Sequence, residues 1–147
     1  MNQGILLTFL ARVLVGGVLL LAGVIKLQDP VSFYFDLLGY GIFVDHFARG
    51  IAMTLPWLEC FTGLCVLLGR PLYRGALLVS GLLWSAFLVV VAWAMITGLE
   101  IGCGCFGQWT PWETLWPTAL MDTILLSLTI YLMVKVPSVR PETSAVE

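Results

Sequence analysis

The sequence has few charged residues. Asp, Glu, Lys and Arg make up only 11% of its 147 residues, whereas an average soluble domain has about 25%. Apolar side chains account for 60% of the chain, and the mean hydropathy is +1.00. So few charges cannot cover the surface of a soluble domain of this size. The chain is therefore predicted to be an integral membrane protein that has the lipid bilayer as its first partner.

Basic clusters and metal-binding clusters are also lacking. The formal net charge is −2, and the absence of a basic patch argues against nucleic acid as a partner. His46 is the single histidine, and two of the four cysteines, Cys60 and Cys65, lie inside an apolar run. Because a closed zinc site needs about four ligands, no metal site is predicted.

Long apolar runs are what the sequence has in abundance. Four runs are long enough to cross a bilayer at about 1.5 Å per helical residue, and they cover residues 5–25, 46–68, 75–97 and 115–136. The first has no small-residue cleavage site, so it is read as a retained span and not as a signal peptide. The simplest fold is an all-α, antiparallel four-helix bundle over residues 1–136. The polar tail at 137–147 is expected to be disordered.

Proline and glycine suggest how the spans begin, bend and pack. Asp29-Pro30 should end the first helix, and the aromatic segment 31–40 is either an interfacial stretch or an apolar loop folded over the bundle. Pro56 should kink the second span because it lacks a backbone donor. Gly16, Gly17 and Gly23 would let another helix approach the first one closely.

The distribution of basic residues predicts the orientation. The second connection carries Arg70 and Arg74, and the tail carries Lys135 and Arg140, whereas the third connection has no Lys or Arg. By the positive-inside rule, the second connection and both termini face the cytoplasm of a bacterial inner membrane. The first and third connections of this multi-pass protein then face outward.

The third connection contains two cysteines one residue apart, in Gly102-Cys103-Gly104-Cys105-Phe106-Gly107. A disulfide needs Cα atoms within about 4.4–6.8 Å, and Gly104 can provide the bend because it has no Cβ. Gly102 and Gly107 loosen the segment further. A bridge in such a small ring should be labile, and labile, accessible disulfides are the catalytic or regulatory ones. An outward position would place the pair where disulfides persist.

Two other interpretations of Cys103 and Cys105 stay open. They could be unlinked thiols at the end of a helix, or half of a metal site. If they do exchange disulfides, Asp122 in the outer half of the fourth span could accept a proton, since the thiolate is the attacking form. Without a cationic partner, Asp122 would equally be protonated and inactive.

Ionisable residues at membrane depth point to a polar site or a structural lock. Each costs at least about 2.5 kcal/mol near the centre of an isolated helix, so such residues usually face inward and pair. Arg12 and Glu59 lie at similar depths, which makes an ion pair between them geometrically feasible. That pair would either lock the first helix to the second or form a polar site for protons or a quinone head group. Lys26, at the end of the first span, is expected to snorkel to the interface.

Several of these elements recur together in a known family. They are Arg12, Ala22-Gly23-x-x-Lys26-Leu27, Pro30-x-x-Phe33, Leu55-Pro56-Trp57-Leu58-Glu59, Gly63 and Cys103-Gly104-Cys105-Phe106-Gly107. The chain resembles the MauE/DoxX-like membrane proteins, and most closely the MauE family. It departs from that pattern at Met121-Asp122, where the family often has an arginine.

The resemblance implies a role in redox maturation of a protein outside the cytoplasm. MauE-like proteins are associated with methylamine dehydrogenase, a disulfide-rich client, and with a thioredoxin-like partner, and DoxX-like proteins with quinone-linked oxidoreductases. The first hypothesis is a thiol–disulfide oxidoreductase that uses Cys103 and Cys105. The alternatives are a non-catalytic membrane anchor or assembly subunit, and a quinone-linked oxidoreductase subunit. No cofactor follows from the residues alone, and quinone is the candidate.

Overall fold

The protein is a bundle of helices. The structure, a computed structural model, describes residues 3–69, 72–99 and 115–135. Its helices are α1 (Gln3–Gln28), α2 (Pro30–Gly39), α3 (Asp45–Leu68), α4 (Tyr73–Thr97) and α5 (Leu115–Lys135). All but the short α2 are long and apolar enough to cross a membrane. The predicted all-α fold with four spans is therefore confirmed, and the chain is a multi-pass membrane protein.

The four long helices form a closed ring. α1 packs against α3 and α5, while α4 packs against α5 and α3. Each long helix contributes to one buried cluster, exemplified by Leu19, Val66, Leu77 and Leu132. Large apolar side chains on the outer faces are exposed, as expected for a surface that contacts lipid. The core between the helices is thus supplied by all four spans.

α1 and α3 approach each other most closely, and glycine makes this approach possible. A Cβ at Gly63 would lie 2.7 Å from the carbonyl oxygen of Gly16, and one at Gly23 would lie 2.6 Å from Cys60 Sγ. Real Cβ atoms do not come so near, so a larger residue would push the helices apart. Gly17, by contrast, has no atom within 4 Å of that position. The expected close-contact role applies to Gly16 and Gly23 and is wrong for Gly17.

The break at Asp29-Pro30 is confirmed, and it starts a new helix. The Asp29 side chain caps α2 by accepting a hydrogen bond from the Ser32 amide at 3.0 Å, and Pro30 occupies the first turn. Phe33 and Leu37, one turn apart, are buried against Ala48 and Ala52 of α3. Nearly all of the segment 31–40 is therefore a packed helix, α2, which ends at Gly39 with Tyr40 as its C-cap. Neither sequence interpretation specified a helix here.

Successive spans run in opposite directions, so each end of the bundle collects a different set of helix termini. α2 lies at one end, together with the end of α1, the start of α3, the end of α4 and the start of α5. We call this the α2 end. Leu99 and Leu115 border the third connection, so that connection leaves and re-enters the bundle at the α2 end. The tail at 137–147 lies outside the described residues.

Candidate functional site

A buried ion pair joins α1 to α3. The Lys26 ammonium donates hydrogen bonds to both oxygens of the Glu59 carboxylate, at 2.8 and 2.9 Å. Their side chains are 1% and 0% exposed. At membrane depth the alternative would be an unpaired charge in hydrocarbon, so the two groups compensate each other.

The pair forms because the two side chains point toward each other. Side chains of a helix tilt toward its N-terminus. Lys26 lies near the end of α1, so its long stem runs back into the bundle, whereas Glu59 on antiparallel α3 leans toward the α2 end. Gly23, one turn before Lys26, packs against Pro56 and Cys60 and removes the bulk that would separate them.

Two expectations about these charges are wrong. The Lys26 side chain does not extend out of the bundle, because its ammonium is held by Glu59 and the residue is 2% exposed. Glu59 does not pair with Arg12, because the ion pair it forms is with Lys26. Counting residues from the helix ends gave similar depths for Arg12 and Glu59, but the ends of α1 and α3 are not level. Gly23 packs on Pro56 and Cys60, so Glu59 lies beside the part of α1 just before Lys26. Arg12 lies beside the end of α3.

Arg12 instead binds the far end of α3. Its Nε donates to the Val66 carbonyl at 2.8 Å and its Nη2 donates to the Leu67 carbonyl, while its guanidinium lies 5.3 Å from the ring centroid of Tyr73. The last carbonyls of a helix lack partners within the helix, and a cation there also suits the helix dipole. Arg12 therefore links α1 to α3 through carbonyl groups.

Two aromatic rings lie next to the Lys26 ammonium. Nζ lies 5.3 Å from the ring centroid of Phe33 on α2 and 5.0 Å from that of Phe87 on α4. Such rings attract a cation electrostatically, by about 0.5–2 kcal/mol according to burial. Four elements, α1 to α4, thus meet around one ammonium group.

Phe33 and Phe87 also line an apolar cavity of about 260 Å³. Its other walls come from α3, α4 and the residues that join α2 to α3, among them Tyr40, Phe43 and Leu55. No sequence motif predicts this cavity directly, since it depends on how α2 folds back. Phe33 was singled out only through the family pattern, and nothing marked Phe87.

The remaining predicted residues fall in different places. Asp122 is buried, 3% exposed, and lies about 10 Å along α5 from its start at the α2 end. Pro56 is buried within α3, which runs through it as one helix. Cys103, Gly104, Cys105 and Gly107 lie outside the described residues, so their predicted roles remain predictions.

A hydrogen bond at the protein surface joins α2 to the start of α3. The Tyr34 hydroxyl donates a hydrogen bond to the Asp45 carboxylate, and Arg49 lies 3.6 Å from the other oxygen of Asp45. This hydrogen bond, and to a smaller extent burial, raises the pKa of Tyr34 above its ordinary value near 10.0. The contact helps to hold α2 above the Lys26–Glu59 pair.

Comparison with known proteins gives a family match over most of the chain. The family model described as Methylamine utilisation protein MauE matches residues 4–135. Apart from Gln3 at the start of α1, that range includes the four long helices. It also includes the buried ion pair and the cysteine segment. No curated protein and no solved structure matches the chain. The resemblance drawn from the sequence motifs is therefore confirmed.

Proposed function

Because the chain belongs to the methylamine utilisation protein MauE family, we propose that it is an inner-membrane thiol–disulfide protein of methylamine utilisation. Cys103 and Cys105 exchange disulfides with a thioredoxin-like partner outside the cytoplasm. That partner acts on a disulfide-rich client such as methylamine dehydrogenase. Both termini of the chain then lie in the cytoplasm.

The observation that carries this proposal is the position of the cysteine segment in the topology. α4 ends at Thr97 and α5 begins at Leu115, both at the α2 end. The opposite end carries Arg74 and Lys135, which the positive-inside rule assigns to the cytoplasm. Together these support an outward position for the connection that contains Cys103 and Cys105, on the side where disulfides persist.

The exchange needs no reagent beyond the two proteins. A thiolate of one protein attacks a disulfide sulfur of the other and forms a mixed disulfide, which the second thiol of the attacking protein resolves. One disulfide breaks and one forms, so electrons balance. A base that accepts the thiol proton favours attack, because the thiolate is the nucleophile. We assign this role to Asp122, the buried carboxyl group of α5.

In this proposal the bundle is a rigid support. The Lys26–Glu59 pair and Arg12 join α1 to α3 near the two ends of their shared interface, and the close glycine contacts lie between them. A platform that does not shear keeps the ends of α4 and α5 at a fixed separation. The two ends of the connection that a partner would bind are then held at fixed positions.

Thiol trapping in intact membranes tests the proposal. A membrane-impermeant maleimide should label Cys103 and Cys105 after addition of a reductant, and label them little before it if the pair is oxidised. A Cys60→Ser/Cys65→Ser variant serves as background, because these two thiols are only partly buried in α3 and would confuse the count. If labelling of the pair is equally absent with and without reductant, disulfide exchange by this segment is refuted.

Cysteine-to-serine variants distinguish disulfide exchange from the role of a non-catalytic anchor or assembly subunit. Cys103→Ser/Cys105→Ser should insert normally but abolish maturation of the client, and a single Cys105→Ser variant should accumulate a mixed disulfide with the partner. Full client maturation by the double variant would instead favour the alternative, a non-catalytic anchor or assembly subunit. Insertion is checked by the amount of the protein in washed membranes.

A further inference from the structure

A groove lies between α4 and α5 at the end of the bundle opposite the α2 end. Arg74, Leu77 and Leu78 from the start of α4 line it, together with Met133 from the last turn of α5. Leu77 is buried and forms the floor, whereas Arg74 and Leu78 are exposed, so the groove is open to the outside of the bundle. Its volume is about 220 Å³, and an apolar cavity of about 150 Å³ already accepts benzene. Several carbon atoms of a membrane molecule can therefore enter this groove.

The groove joins the hydrocarbon zone of the membrane to the head-group zone. The 25 residues of α4 are roughly 37 Å long, whereas the hydrocarbon core of a bilayer is about 30 Å thick. Arg74, the second residue of α4, is therefore expected at the level of the lipid head groups. Leu78 lies one turn deeper, about 6 Å along the helix axis. The groove thus has a cation at its outer end and apolar walls below it.

Cations dominate this end of the bundle. Arg74 near the start of α4, Lys135 at the end of α5 and Arg12 on the last carbonyls of α3 all lie here. In the part of the chain that the structure describes, the nearest acidic residues on α3 and α5 are Glu59 and Asp122. They lie about 13 and 20 Å from the last residues of their helices. The resulting positive field favours an anionic ligand.

From these observations we propose that the groove binds an anionic phospholipid, with its phosphate on Arg74 and one acyl chain along Leu77, Leu78 and Met133. A guanidinium has five N–H donors and can bind two phosphate oxygens with two parallel hydrogen bonds, besides its contacts within the protein. Free phosphate would leave the apolar walls uncovered. The cationic group of a zwitterionic lipid would meet the positive field. Basic pockets between transmembrane helices are suited to anionic head groups.

Photolabelling of the full-length protein in detergent locates the site. The probe is phosphatidylglycerol with a diazirine in one acyl chain, and labelled peptides are mapped by mass spectrometry. Labelling should concentrate on the first turns of α4 and the last turn of α5, and excess unlabelled phosphatidylglycerol should remove it. Phosphatidylcholine with the same acyl chains should compete about fivefold less well, the effect expected of one basic residue near an anionic head group.

Two results of the competition would overturn the proposal. Equal competition by the two lipids would show that only the acyl chains are recognised. Competition by inorganic phosphate alone would show a site for the free anion and not for a lipid. Labelling spread evenly over the four long helices would likewise contradict a defined site between α4 and α5.

Variants of two exposed arginines give the matched comparison. Arg74→Gln should abolish the preference for phosphatidylglycerol, while Arg74→Lys should keep most of it, because an ammonium also binds phosphate as a point charge. Arg49 borders another groove, at the α2 end, but the Asp45 carboxylate lies 3.6 Å from it and offsets its charge. Arg49→Gln should therefore leave the preference unchanged.

The arginine variants can contradict the proposal in either direction. Retention of the preference by Arg74→Gln, or its loss in Arg49→Gln, would overturn the assignment of the phosphate to Arg74. Gel filtration checks that each variant is folded. If Arg74→Gln does not fold, Arg74→Lys and the labelled positions of the unmodified protein decide the question. The site goes beyond the proposed function, and Cys103→Ser/Cys105→Ser should be labelled like the unmodified protein.

Discussion

Lys26 Nζ donates to both carboxylate oxygens of Glu59, at 2.8 and 2.9 Å, in the interior of a membrane bundle. The pair draws α1 against α3 and positions a cation under Phe33 and Phe87. Burial of both charges makes each dependent on the other. Removal of one partner is consequently a more severe change than removal of both.

Glu59→Gln should strongly destabilise the protein, because it leaves the Lys26 ammonium buried without a counterion. Loss of one member of a buried pair typically costs about 3–5 kcal/mol. The double variant Lys26→Met/Glu59→Leu should recover most of that loss. Thermal unfolding of the purified protein in detergent measures both. As a control, Arg49→Gln breaks the exposed pair with Asp45 and should leave the midpoint unchanged. A double variant as unstable as the single one would contradict the pairing argument.

Arg12→Gln should loosen the end of α3 that lies opposite the α2 end. The substitution removes the charged donor that reaches the Val66 and Leu67 carbonyls, and hydrogen bonds to charged groups are worth about 1.5–3 kcal/mol each. Hydrogen exchange of the amides in the last turn of α3 should accelerate, while exchange near Ala48 stays slow. Uniform acceleration along the whole helix would show that Arg12 supports global stability instead.

Gly23 and Gly17 lie on different faces of α1, and substitution by alanine should have opposite effects on stability at the two positions. Gly23→Ala forces a methyl group into contact with Cys60 Sγ and the Pro56 carbonyl, and overpacking of this kind costs about 1–3 kcal/mol. Gly17→Ala meets open space and replaces a poor helix former by a good one. Unfolding midpoints should therefore fall for Gly23→Ala and stay level or rise for Gly17→Ala. Equal midpoints would refute close packing at Gly23.

Alkaline pH should release α2 from α3. The pKa of Tyr34 is raised because its hydroxyl donates to the Asp45 carboxylate. The stabilisation is therefore present below the ordinary pKa near 10.0 and is lost as pH rises through the raised value. Limited proteolysis between pH 8 and 11 should show increasing cleavage near α2, after correction for protease activity. Tyr34→Phe should be more readily cleaved at pH 8 and lack this transition.

The four spans and the break at Asp29-Pro30 could be predicted from the sequence because both depend on local signals, hydropathy and the chemistry of proline. The partner of Glu59 could not be predicted from depth alone. Depth was counted from the helix ends, but α1 and α3 are offset along their axes, so Glu59 lies beside Gly23 and Arg12 lies beside the end of α3. Lys26 reaches Glu59 from a position closer to the α2 end. The cavity escaped prediction for a related reason, because it exists only when α2 lies against α3.

Arg12 and Lys26 also bear on how the protein enters the membrane. α3 carries a carboxylate and terminal carbonyls that receive cations from α1, namely Lys26 and Arg12. On its own in lipid, α3 would have to hold Glu59 protonated or remain poorly inserted. α1 is synthesised first, so its two cations are already in the bilayer when α3 leaves the ribosome. We therefore expect α3 to insert stably only together with α1, which supplies the cations for its carboxylate and terminal carbonyls.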